Sequence, residues 1–126
     1  MTQVAQRALK GQTSYHAGAA SEEAVARDYE RRGYGLLQER WRGQGGEIDL
    51  ILQNGDGFVF VEVKHARHFA GAALRIGPRQ IQRIYASAEE FLGTQPLGAL
   101  SEARFDVALV DGQGDIQIIE NAFGEI

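Results

Sequence analysis

Apolar positions along the chain follow two periods. In residues 21–32, Glu22, Val25, Ala26 and Tyr29 recur at i, i+3, i+4 and i+7. That spacing puts them on one face of a helix and rotates Glu23 away from it. Ser21 can cap this helix and Gly33 stops it after about Arg32. YGLLQERW predicts a short strand around Leu36 to Arg40, and RGQGG a flexible connection. EIDLIL and FVFVEVK read as two strands joined by QNGDG, a hairpin signal. HARHFAGAALRIG is a loop. Pro78 then suits the first turn of a helix running to about Leu92, with Ile81, Ile84, Tyr85, Ala88 and Phe91 or Leu92 as its apolar stripe. RFDVALV and DIQIIE, split by DGQG, are the last strands, and NAFGEI is the tail. Residues 1–17 lack sustained periodicity and read as a loose arm before a single domain over 18–126.

The order helix, three strands, helix, two strands predicts an α/β layer arrangement around a mixed sheet. The helix between FVFVEVK and RFDVALV makes those two strands parallel neighbours.

The hairpin carries the chemistry. Along the second strand Phe58, Phe60, Glu62 and Lys64 share one face, and Val59, Val61 and Val63 the other. A two-residue turn at Gly55-Asp56 pairs Gln53 with Phe58, Leu52 with Val59, Ile51 with Phe60 and Leu50 with Val61. Carried further, the same register sets Asp49 beside Glu62, Ile48 beside Val63 and Glu47 beside Lys64. A slip by one residue would mix charges into the apolar face, which fixes the register. Like charges directly opposite destabilise a strand pair, and partial burial strengthens the repulsion. A divalent cation between the carboxylates would offset it. Oxygen donors without cysteine or suitably spaced histidine favour Mg²⁺ or Mn²⁺ over Zn²⁺. Glu22, on the inner face of the first helix, can approach the same cluster. This set suits metal-assisted hydrolysis of a phosphodiester. Lys64 would position or deprotonate the attacking water, or stabilise the transition state. Arg40, Arg42, Arg67, Arg75, Arg79 and Arg83 are candidate phosphate contacts.

Composition narrows the field. The 126 residues include no cysteine, which excludes disulfides and thiolate metal sites. No apolar run is long enough for a membrane span, and the N-terminus lacks the apolar core of a secretory signal. A cytoplasmic location is therefore the expectation. The net charge of −4 is uneven: +2 over residues 1–46, +1 over 47–86 and −7 over 87–126. The first two thirds can present a basic face to nucleic acid while the acidic third faces away.

GGEIDLIL, a glycine-bearing turn and FVFVEVK resemble the hairpin of the PD-(D/E)XK, or restriction-endonuclease-like, nuclease superfamily. The whole chain from about residue 18 to 123 resembles more closely the YraN family of small bacterial proteins. The resemblance rests on Gly18 and Glu22, Gly33-Tyr34 with Leu36-Leu37, GEIDL at 46–50, FVEVK at 60–64, RFDV at 104–107 and NAF at 121–123. It implies a restriction-endonuclease-like core, a mixed sheet of about five strands flanked by helices, with the active site on the hairpin. By the resemblance Asp49, Glu62 and the Val63 carbonyl would bind metal, Lys64 would be the catalytic lysine, and Glu22 the helix glutamate found in a subset. Gln80 would be a polar site residue at the start of the second helix. The implied substrate is DNA, including branched, Holliday-junction-like DNA, and two incisions would suit a homodimer. A non-catalytic nucleic-acid-binding or adaptor domain on the same scaffold is the alternative. The chain departs from the family in its acidic balance and in His65, where threonine is common.

Other features read more simply as structure. His65 and His68 are expected to be solvated polar residues rather than a metal pair. Glu47 is expected to pair with Lys64 or to serve the strand start. Trp41 either stacks on a base or anchors the strand end. Gly43, Gly45 and Gly46 fit neither a P-loop nor a dinucleotide fingerprint. Tyr85 and Phe91 belong to the helix core. Alternation alone does not say which face Asp106 takes.

Overall fold

The computed structural model describes residues 18–70 and 72–123. The sequence-predicted N-terminal arm lies outside them. The first helix, α1, spans 18–31. The strands are β1 (Gly35–Arg42), β2 (Glu47–Asn54), β3 (Gly57–His65), β4 (Ala103–Val110) and β5 (Ile116–Ile119), and α2 spans Pro78–Leu92 between β3 and β4. Short 3₁₀ turns occupy Ala72–Arg75 and Gly98–Leu100, so part of the predicted loop before α2 is helical.

The strands form one sheet in the order β1-β2-β3-β4-β5. β3 and β4 run parallel, as the helical crossover requires. The other neighbouring pairs are antiparallel. Val25, Ala26 and Tyr29 of α1 pack on Leu50, Leu52, Val59, Val61, Ala108 and Val110. Ala88 and Phe91 of α2 pack on Ile48, Ile51, Phe58 and Phe60. The two strands between these layers are therefore apolar on both faces, which is why FVFV reads as a continuous run. This is an α/β fold with a five-stranded mixed sheet, consistent with a restriction-endonuclease-like core.

Helix α1 is already under way at residue 18, so Ser21 is not its cap. Its hydroxyl lies inside the helix, 2.7 Å from His65 Nε2. The end of α1 is as expected. Gly33 sits at φ 96°, and Tyr34 N–H donates to the Tyr29 carbonyl while Gly33 N–H donates to that of Glu30. These are the two bonds of a Schellman stop, and the Tyr29 and Tyr34 rings close over it edge to face at 5.3 Å.

β1 is longer than the predicted Leu36 to Arg40, and it is irregular. Its register against β2 shifts between Leu36 and Gln38, leaving Leu37 exposed. The RGQGG connection is tied to α2 rather than loose: Ser87 Oγ donates to the Gly46 carbonyl at 2.9 Å, and Gln44 N–H to Glu90 Oε2 at 2.8 Å. A Cβ on Gly45 would come 3.0 Å from that of Ala86, so glycine permits this close approach.

Candidate functional site

Near its turn the hairpin follows the expected register, Gln53↔Phe58, Leu52↔Val59, Ile51↔Phe60 and Leu50↔Val61. There the β2–β3 ladder stops. The expected pairs Asp49–Glu62, Ile48–Val63 and Glu47–Lys64 do not form as ladder pairs. Instead Asp49 Oδ2 accepts the Val63 N–H at 2.8 Å, a side-chain oxygen standing where a strand carbonyl would. On the other side of β2, Glu39 pairs with Leu50 and Trp41 with Ile48. Arg40, between them, adopts φ 50°, a conformation foreign to a regular pleat. Alternation on β2 breaks at the same level, and Ile48 joins Ile51 on the α2 side instead of Leu50 and Leu52.

The break opens the end of the hairpin and gathers the charged groups there. Glu62 is 9% exposed. Its Oε1 accepts Gln80 Nε2 at 2.7 Å and lies 3.4 Å from Lys64 Nζ. Asp49 is half-buried and within interacting distance of Glu62. Glu22 reaches in from α1 and is held by Arg40 Nε at 2.7 Å. Asp49, Glu62, Lys64, Gln80 and Glu22 thus converge at one end of the sheet, with the Val63 backbone beside them.

Electrostatics at this end are unfavourable to charge. Burial, and then the charge of Glu62, push the Asp49 carboxyl up to about 7, although the Val63 N–H opposes the shift. Burial also raises Glu62, with Lys64 opposing. Glu22 is raised by burial and by Asp49, with Arg40 opposing. Acids raised in the folded state favour folding while they are protonated, and that contribution fades as pH climbs from the ordinary carboxyl range through the raised value. The metal-free protein is therefore expected to lose stability between about pH 4 and 8, by roughly 1–2 kcal/mol allowing for solvent screening. Chemical denaturation across that range measures it. A flat profile, or one equally steep in Asp49→Asn, would rule the explanation out.

The remaining predicted residues lie around this centre. Glu47 pairs with Arg42 at 3.6 Å rather than with Lys64, whose partner is Glu62. Once the strands part after Leu50↔Val61, Glu47 and Lys64 no longer face each other. Arg42, Arg67 and Arg79 are exposed. Trp41 packs edge to face on Phe91 at 5.6 Å, which makes it an anchor. His65 is exposed but bonded to Ser21.

Sequence reasoning missed Asp106 as a hub. The residue is fully buried and accepts Tyr29 Oη, both Arg104 Nε and Nη2, and the Asn121 N–H at 2.8–3.0 Å. The arginine two residues before it, RFD, was the available signal.

The family model for the uncharacterised protein family UPF0102 matches residues 21–110, which include the hairpin, α2 and β4. The chain belongs to the UPF0102 family, the YraN family. A UPF0102 protein of Ruegeria pomeroyi is 57% identical over 117 residues, covering 93% of this chain and 95% of that relative. One from Roseobacter denitrificans is 52% identical over 128 residues and 99% of both chains. A third, from Cereibacter sphaeroides, is 54% identical over 115 residues, 91% of this chain and 98% of the relative. UPF0102 membership therefore extends over the whole described core. Among the described residues, no helix of this UPF0102 chain is long and apolar enough to cross a membrane.

Proposed function

We propose that the protein is a metal-dependent endonuclease that hydrolyses phosphodiester bonds of DNA, including branched DNA. The observation that carries the reading is the half-buried Asp49 beside the buried Glu62 and Lys64, where β2 and β3 part. Two acids raised by burial, Asp49 also by the charge of Glu62, with Glu62 3.4 Å from a lysine, are poorly explained as a solvated strand end. The resemblance of GEIDL and FVEVK to the superfamily hairpin supports the same assignment.

The donor set fits Mg²⁺ or Mn²⁺. Such ions take one or two carboxylates and keep several waters, and Asp49, Glu62 and the Val63 carbonyl are the residues that would hold one. When bound, the ion supplies Lewis acidity and an acidified water. The protein's own groups do the rest. Gln80 fixes the Glu62 carboxylate, and Asp49 is oriented by the Val63 N–H. Lys64 faces the attacked phosphate, to position or deprotonate water or to stabilise charge. Glu22, restrained by Arg40, assists from α1. Two incisions across a branch extend the reading to a homodimer.

Calorimetric titration of Mn²⁺ and Mg²⁺ into the protein tests it, with Asp49→Asn/Glu62→Gln as control. Saturable binding absent from the control is expected, and cleavage assays on branched and linear DNA follow. No binding even with a DNA oligomer present would overturn the reading. It would favour a non-catalytic nucleic-acid-binding domain on the same scaffold.

A further inference from the structure

Beyond the end of β3 lies an open recess of about 290 Å³, lined by His65, Ala66, Arg67, Arg75, Val110 and Gly112. Its arginines differ from most others among the described residues, sharing the lack of an ion pair with Arg79 and Arg83 of α2. Arg27, Arg31, Arg32, Arg40, Arg42 and Arg104 each lie against an aspartate or glutamate. Arg67 and Arg75 form no ion pair among the described residues and are exposed. The nearby Asp111 forms no ion pair with either arginine; its Oδ1 accepts the N–H groups of Gln113 and Asp115 at 2.9 Å within its own turn. The recess wall is fixed. Ala66 N–H donates to the Val110 carbonyl at 3.0 Å, and His65 is tied to Ser21 at 2.7 Å.

We propose that this recess is a phosphate subsite, in which Arg67 and Arg75 bind a backbone phosphate of the nucleic-acid strand being cut. The proposal rests on the nuclease reading for the position of the scissile phosphate at Asp49 and Glu62. Arg67 follows Lys64 by three residues, a chain span of at most about 10 Å. That equals the rise of about three nucleotides of a duplex strand, so the subsite would take a phosphate close to the cut. Two arginines without acidic partners suit this ligand, since guanidinium matches the geometry of phosphate oxygens.

The test is DNA binding without metal, followed by anisotropy of a fluorescein-labelled duplex in EDTA at several salt concentrations. Arg67→Ala/Arg75→Ala is expected to weaken binding about tenfold or more. It should also reduce the salt slope by about one if the arginines share a phosphate and by about two if they bind separate ones. Arg67→Lys/Arg75→Lys should keep the slope, and Arg27→Ala/Arg31→Ala, on paired arginines of α1, should change neither quantity. An unchanged slope in the double alanine variant, or no binding by the parent protein, overturns the subsite. Because no metal is present, failure here is separable from failure of the nuclease reading. A slope lost in a protein that cleaves nothing keeps the subsite and sinks the nuclease. Metal-dependent cleavage with an unaltered slope does the reverse.

Discussion

Asp49→Asn should lower metal-dependent DNA cleavage by at least about 100-fold, the loss typical when one preorganised electrostatic group is removed from a charged transition state. The same change should leave the fold as stable as before, or more so above pH 7. Asparagine retains an oxygen to accept the Val63 N–H and removes a charge that burial and Glu62 both oppose. Activity and stability therefore move in opposite directions. A merely structural Asp49 would lose both. Lys64→Ala extends the comparison, because it removes the group 3.4 Å from Glu62 while changing little of the core. Cleavage rates and melting temperatures of the two variants decide the matter, and cleavage that survives both changes would end the catalytic assignment.

The second large effect is on stability. Asp106→Ala is expected to destabilise the protein by about 3–5 kcal/mol, the usual result of removing one partner from a buried ion pair. This corresponds to roughly 10 °C or more in Tm for a chain of this size. Four donors lose their acceptor at once: the Tyr29 hydroxyl, two Arg104 nitrogens and the Asn121 N–H. The bonds to Asp106 are the main reason the Arg104 guanidinium is held more firmly protonated than usual. Burial, then the Asp106 charge, raises the Tyr29 phenol far above its ordinary range. Arg104 also donates to Tyr34 Oη at 3.0 Å, so the Asp106–Arg104 pair joins α1, the residue before β1, β4 and the segment after β5. Asp106→Asn keeps an acceptor and should recover part of the loss. Urea unfolding with an unchanged m-value measures both variants. A cost below about 1 kcal/mol for alanine would show that the network contributes little.

Much of the sheet was legible because its signals are local. Period-two alternation around Asn54-Gly55-Asp56-Gly57 allows only one register that buries both apolar sets, and the ladder from Gln53↔Phe58 to Leu50↔Val61 follows it. Pro78 and the stripe from Ile81 to Phe91 placed α2 from Pro78 to about Leu92, where it lies. The crossover length made β3 and β4 parallel. The acids and lysine of the candidate site were legible for the same reason, since charges in a run of Phe and Val stand out against it.

What local pattern could not reach was where the pattern fails. A strand rule extends the hairpin past Leu50↔Val61, but the carboxylate of Asp49 competes for the Val63 N–H and Arg40 leaves the pleat. Glu47 accordingly turns to Arg42, and Glu62 lies between Lys64 and Gln80. The link from Ser21 to His65, the anchor from Ser87 to Gly46 and the hub at Asp106 join residues 44, 41 and up to 77 positions apart. By itself the sequence determined the order and approximate extent of the strands and main helices and which charges interrupt them, because propensity and alternation act between near neighbours. The convergence of those charges into one site was decided only by the tertiary structure, because hydrogen bonds and burial act across space regardless of separation along the chain.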